Sequence, residues 1–226
     1  MVGNFCGCFY SNRINLAYMK SPLYSNSYIY TLGLILLHKG TFFRRYRHMA
    51  AYVHDNESVL EPGCGPAIFA KFLPKSVAYR GFDANGSFID HAAQKGLNVV
   101  LGNALDPASY SPADVVMLCD VLHHLPPSER QKCIAFCWQA AKRLLIICEE
   151  GRPDSSAGGP FYWINKKWCE FIEKDGTNNP KFEEVWTKGA LREYMEKGFD
   201  VVPSSTQNKI KEVGEDLIIT YSKGRW

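Results

Sequence analysis

Apolar residues fall in short blocks, not along one continuous stripe. Val59-Leu60, Val99-Val100-Leu101, Val115-Val116-Met117-Leu118 and Leu144-Leu145-Ile146-Ile147-Cys148 are brief aliphatic runs separated by stretches rich in charge, glycine and proline. Runs of that length, apolar at successive positions, predict strands covered on both faces, the condition of a parallel sheet. Strands are predicted over Ser58–Glu61, Ala78–Asp83, Asn98–Leu101, Asp114–Cys119 and Arg143–Cys148, then Val201–Ser205 and Asp216–Tyr221. Helices are predicted between them. Ser87 with Asp90 three residues on, and Ser128 with Gln131 three on, have the form of capping boxes; Gly96 closes the first helix and Pro126-Pro127 opens the second. A last amphipathic helix is read from Thr187 to Lys197, ended by Gly198-Phe199 and followed by the two final strands. Strand and helix in alternation predict a doubly wound α/β sheet.

The first strand runs into Glu61-Pro62-Gly63-Cys64-Gly65, and about twenty residues after Gly63 an acid, Asp83, closes the second strand. Glycines in such a turn let a ligand approach the backbone, and a carboxylate on the next strand takes ribose hydroxyls. Each part has a bland reading: a tight turn, a solvated acid. Together, in this order, they predict a nucleoside site. A dinucleotide would want a third glycine where Ile68 stands, and no phosphate-binding loop with its lysine occurs. Glu61 suits a ligand that brings an amino acid to the loop instead.

This set resembles motif I of the class I S-adenosylmethionine-dependent methyltransferases, and the resemblance extends from Val59 to Tyr221. It implies a Rossmann-like, doubly wound seven-stranded sheet, mostly parallel with an antiparallel C-terminal strand, and S-adenosyl-L-methionine as cofactor. The cofactor-binding positions it implies are Glu61, Gly63, Cys64, Gly65, Asp83 and Ala84, then Asn103 and Ala104 at the adenine, and Cys119 and Asp120 beside the methionine part. Asn103 departs from the aspartate common there, and Pro66-Ala67 from a frequent Thr-Gly pair. The stretch Asp120-Val121-Leu122-His123-His124-Leu125 is closely similar to the family's motif after the fourth strand.

Composition fits one catalytic domain: 226 residues, 46% of them hydrophobic, and a net charge of +3, too small to argue for a nucleic-acid partner. The eight cysteines lie partly in predicted strands and include no Cys-x-x-Cys pair, so reduced thiols are expected, with no metal site. Cys6-x-Cys8 is the only close pair. The longest apolar run, Thr31 to Leu37, is too short for a membrane span and lacks the setting of an export signal, which predicts a soluble, cytoplasmic chain.

Two segments stand outside the alternation. Residues 1–53, read as a helical lid ahead of a methyltransferase domain over 54–226, carry Tyr10, Tyr18, Tyr24, Tyr28 and Tyr30; the insertion Glu149 to Trp186 carries Phe161, Tyr162, Trp163, Trp168 and Phe171. They suit an apolar cover or a recognition surface for an apolar, aromatic or cationic substrate. The basic run Lys39 to His48 is open to three readings: a solvated helix face, an arginine, Arg44, clamping the cofactor's carboxylate, or peripheral contact with anionic lipid.

Methyl transfer from a sulfonium needs alignment in a dry site, and a general base only when the acceptor is protonated, as a hydroxyl is. His123 and His124 are the candidates. The Asn-Pro-Pro-aromatic motif of base and amide methylating enzymes is replaced by Cys119-Asp120-Val121-Leu122, which favours a small-molecule or lipid-like acceptor. A non-catalytic cofactor-binding protein is the alternative, and a nicotinamide oxidoreductase is disfavoured by Ile68.

Overall fold

In a computed structural model the described residues are 41–151, 186–203 and 206–224. Seven strands form one sheet: β1 (Ser58–Pro62), β2 (Ala78–Asp83), β3 (Val99–Leu101), β4 (Ala113–Cys119), β5 (Ala141–Glu150), β6 (Gln207–Val213) and β7 (Asp216–Ser222), in the order β3-β2-β1-β4-β5-β7-β6. Neighbours from β3 to β5 pair in parallel, and β7 is antiparallel to both β5 and β6. The expected topology is therefore present.

Among the described residues, four α-helices cover the sheet: α1 (Thr41–Ala50), α2 (Gly86–Gln94), α3 (Pro127–Ala140) and α4 (Lys188–Glu196). Helices α3 and α4 bury Cys133, Ile134, Cys137, Leu191 and Met195 with Val116, Leu118, Leu145 and Ile147 on one face. On the other, α1 sets Tyr46 and Met49 against Val115, Met117, Leu144 and Ile146. Tyr46 lies 5.7 Å from the ring of Phe69 and 5.6 Å from that of Phe72. Strands β4 and β5 are thus buried on both sides, which is why their runs are almost wholly apolar.

Three local expectations are corrected. Val201-Val202 form a turn, since Pro203 offers no N–H to a ladder, and the penultimate strand lies later, at Gln207–Val213. It is an edge strand with exposed Lys209 and Lys211, so its sequence carries little apolar signal. Helix α2 is capped by Asn85, whose side chain accepts from the Ser87 amide, not by Ser87; α3 begins at Pro127 with no side-chain cap. The last helix lies where it was expected, with Thr187 as its cap accepting from the Ala190 amide.

The strand order reverses between β1 and β4, which are paired through Val59↔Val115 and Leu60↔Val116. A crevice outside the carboxyl ends of two such strands is where doubly wound sheets bind ligands. The turn after β1 begins at Gly63 and the turn after β4 at Asp120. The aromatic residues named in 1–40 and 152–185, and Cys6 and Cys8, lie outside the described residues. Among the described residues, Cys64, Cys119, Cys133, Cys137 and Cys148 are buried free thiols, and no helix is long and apolar enough to cross a membrane.

Candidate active site

The turn after β1 is built around two left-handed glycines, Gly63 at φ 66° and Gly65 at φ 51°. The Gly65 amide donates to Asp83 Oδ2 at 2.8 Å, and the Asn85 amide donates to Oδ1 at 2.7 Å. One carboxylate thereby fastens the glycine turn to the start of α2. Among the described residues, a Cβ on Gly65 would meet the Phe88 ring at 3.9 Å, an ordinary contact that leaves this part of the turn uncrowded. Ala84, beside it, is exposed.

Glu61 is buried at the end of β1 and accepts from the Tyr79 hydroxyl. Burial pushes its carboxyl up to about 8, the Tyr79 bond opposing and Asp83 adding to the rise. Cys64 is buried between the turn and β2, its thiol pushed up mainly by burial. Asn103 is exposed and its side-chain oxygen accepts from the Leu105 amide at 2.9 Å, while the Ala104 carbonyl accepts from the Tyr110 hydroxyl at 2.8 Å. Asn103 therefore orders its own turn and has its amide nitrogen for an adenine edge. Cys119 packs into the apolar face beneath α1.

Past β4, Asp120 adopts φ 54° and the chain enters a short turn of 3-10 helix, Leu122–His124. Glu149, the ninth residue of β5 and fully buried, reaches across: Oε1 accepts from the amides of Val121 at 2.9 Å and Leu122 at 2.7 Å, and Oε2 lies 2.7 Å from His123 Nδ1. Two amide donors make this carboxylate an acceptor, so Nδ1 is the donor to it and Nε2 is left with a lone pair. His124 stacks on His123 with centroids 3.9 Å apart. Its pKa lies well below the ordinary value, through desolvation first and then His123, with Asp120 opposing. His123, with Nδ1 on a buried carboxylate, has the geometry of an oriented base.

Arg44 is exposed; the arginine that α1 sends inward is Arg45. Its guanidinium donates to both oxygens of Asp120 and to Asp216 Oδ1 at 2.8 Å. Burial disfavours its charge, Asp120 foremost restores it, and its pKa ends above the ordinary value. Asp120, His123 and Glu149 bring ligand atoms within 4.8 Å of one another, a spacing that suits a metal. Here Arg45 already occupies the Asp120 carboxylate and two amides occupy Glu149, so the set is arranged to hold an imidazole.

Glu149, Arg45 and Tyr79 were not singled out from sequence. The signal for Glu149 was an acid pair, Glu149-Glu150, directly after the apolar run of β5; for Arg45 it was the four-residue spacing of Arg45 and Met49 within α1.

The two halves of the site touch: a Cβ on Gly63 would fall 2.4 Å from Val121 Cγ2, so the glycine turn and the His123 turn are packed on one another. A seven-stranded sheet of this order is matched among solved structures. A S-adenosylmethionine-dependent methyltransferase from Archaeoglobus fulgidus is 17% identical, with 86% of this chain and 100% of that one covered and a TM-score of 0.61. The chain has the class I methyltransferase fold. The same fold is seen in magnesium protoporphyrin IX methyltransferase from Synechocystis PCC 6803, bound to S-adenosylhomocysteine, at 16% identity, 83% and 85% coverage and a TM-score of 0.56. It recurs in an O-methyltransferase family protein from Burkholderia thailandensis, at 13% identity and a TM-score of 0.51, where 83% of this chain spans 58% of the longer protein. Residues 85–158 also match a family model described as the mitochondrial small ribosomal subunit Rsm22, a stretch running from the start of α2 beyond β5 of the methyltransferase fold. No curated protein matches the sequence.

Proposed function

We propose that the chain is an S-adenosylmethionine-dependent methyltransferase that transfers a methyl group to a hydroxyl of a small or lipid-like molecule, with His123 as general base. The observation that carries this is the His123–Glu149 bond at 2.7 Å, made by a fully buried carboxylate at the ligand-binding end of the sheet. A cofactor-binding protein without chemistry has no need of an imidazole held in one tautomer.

S-adenosylmethionine, when bound, supplies a methyl group already activated on a sulfonium. Asp83 would hold the ribose hydroxyls, and Glu61 would face the amino-acid end, where its buried carboxyl gains from a cationic partner. Gly65 leaves room for the ligand against the backbone. His123 Nε2 would accept the acceptor's proton as the oxygen–methyl bond forms, and Glu149 would stabilise the resulting imidazolium through Nδ1–H. The acceptor's nature rests on coarser support: neighbours of this fold include a methyltransferase of magnesium protoporphyrin IX.

The match to a ribosomal subunit family favours a second reading, a cofactor-binding protein that acts within a ribonucleoprotein. Incubation with methyl-labelled cofactor and a panel of hydroxyl-bearing acceptors decides between them. Label transfer that is lost in His123→Gln supports the first; saturable cofactor binding with no transfer to any acceptor supports the second.

A further inference from the structure

We infer that Arg45 sets the electrostatic field at His123: by holding Asp120 in a buried ion pair, it keeps a second carboxylate from acting on the imidazole that Glu149 orients. The inference rests on the reading of His123 as a base and adds a residue from outside the core motifs. Its guanidinium is 1% exposed and bridges the end of β4 to the start of β7, through Asp120 and Asp216. Asp120 is the residue from which the His123 turn departs, and it is held in the left-handed region at φ 54° with its amide on the Cys148 carbonyl at 3.0 Å. Its carboxylate lies within 4.8 Å of the His123 and Glu149 ligand atoms. An imidazole between two uncompensated carboxylates is stabilised as the cation and is a poor base at neutral pH; with one of them paired, it can give up its proton and take another.

The charged groups around His123 come from every packed element. Glu149 and Glu150 lie on β5, Asp120 ends β4, and His124 shares the turn. Asp216 opens β7, Glu215 precedes it, Arg45 enters from α1, and α3 contributes Arg130, whose Nε donates to the Leu122 carbonyl at 2.9 Å. Glu150 is pushed up to about 7 by burial first and then by Asp120, with Arg45 and His123 opposing. Arg45 is accordingly a positioning residue: it touches neither the acceptor proton nor the base, and acts through Asp120.

The test is a titration of the His123 ring by nuclear magnetic resonance on the full histidine-labelled chain, which has six histidines, the His123 signal being assigned by its loss in His123→Gln. Arg45→Met removes the compensating cation and is expected to move the His123 midpoint to higher pH. Asp120→Asn leaves Arg45 in excess and is expected to move it to lower pH, and Arg45→Lys, which keeps the charge, to leave it in place. Opposite shifts in the first two establish the role; no shift, or shifts of the same sign, overturns it. If Arg45→Met fails to fold, the near-isosteric Asp120→Asn decides alone, a midpoint that stays or rises counting against the inference. Turnover of His123→Gln is read separately. A wild-type rate there removes the base, while the titration still reports whether Arg45 sets the field.

Discussion

Gly63 and Val121 are so close that a methyl group on the first would sit 2.4 Å from Cγ2 of the second. The glycine turn after β1 is thus seated directly on the turn that carries His123, and Gly63 at φ 66° has both a conformational and a steric reason to lack a side chain.

The two glycines of the turn should therefore respond differently. Gly63→Ala is expected to destabilise the fold by about 1–3 kcal/mol, from the left-handed backbone and the displaced Val121. Gly65→Ala has the backbone cost alone, about 1–2 kcal/mol, since the Phe88 ring at 3.9 Å is an ordinary contact for its Cβ. Gly65→Val is expected to weaken S-adenosylhomocysteine binding well beyond what its stability loss explains. Urea melts and calorimetry on the three variants separate the effects; equal melts for Gly63→Ala and Gly65→Ala would refute the assignment of Gly63 to packing.

Asp83 holds the Gly65 and Asn85 amides with its two oxygens. Asp83→Ala is expected to weaken S-adenosylhomocysteine binding by about ten- to a hundredfold, or 1.5–3 kcal/mol, because the ribose loses a charged acceptor. It should also lower the melting temperature of the ligand-free protein, as two amides lose their partner. Unchanged affinity by calorimetry would place the ribose elsewhere.

Glu61 makes stability depend on pH. Its carboxyl is pushed up to about 8 in the fold against an ordinary 4.5, so folding favours its neutral form. The stabilisation is complete below pH 4.5 and is lost as pH rises through 8, where the buried group must ionise. Glu61→Gln removes this dependence: its melting temperature, relative to the native chain, is expected to rise between pH 6 and 9 while its cofactor affinity falls. Thermal melts across that range, without ligand, check it. A constant difference between the two proteins would mean that Glu61 is already ionised.

How far the sequence foretold this molecule depends on whether a residue's role is local. Strands β1, β2, β4 and β5 and the positions of Gly63, Gly65 and Asp83 follow from short apolar runs and nearby turn residues, so they could be read directly. The choice of Arg45 over Arg44 depends on the rotation of α1 about its axis, and Phe42-Phe43-Arg44-Arg45-Tyr46 gives no clear phase. Glu149 meets His123 only because β5 lies beside β4 with Cys148 opposite Cys119, a pairing between segments well apart in sequence. Edge strand β6 was missed because its exposed lysines obscure the alternation.

The final prediction concerns the pair that carries the chemistry. If the acceptor is a hydroxyl, His123→Ala should lower turnover by about 10²–10⁴ with cofactor affinity nearly unchanged, because the base acts on the acceptor's proton and not on the sulfonium. His124→Ala should cost less, since burial already disfavours a proton on that ring. Glu149→Gln can still accept from both amides through its carbonyl oxygen, but its NH2 then faces Nδ1 and no longer stabilises an imidazolium, so its turnover should fall towards that of His123→Ala. The double variant should then be little worse than His123→Ala alone, as expected when two residues act as one unit. Steady-state rates at saturating cofactor over the four proteins give the answer: losses that multiply in the double variant would show that Glu149 supports the fold of the turn and not the base.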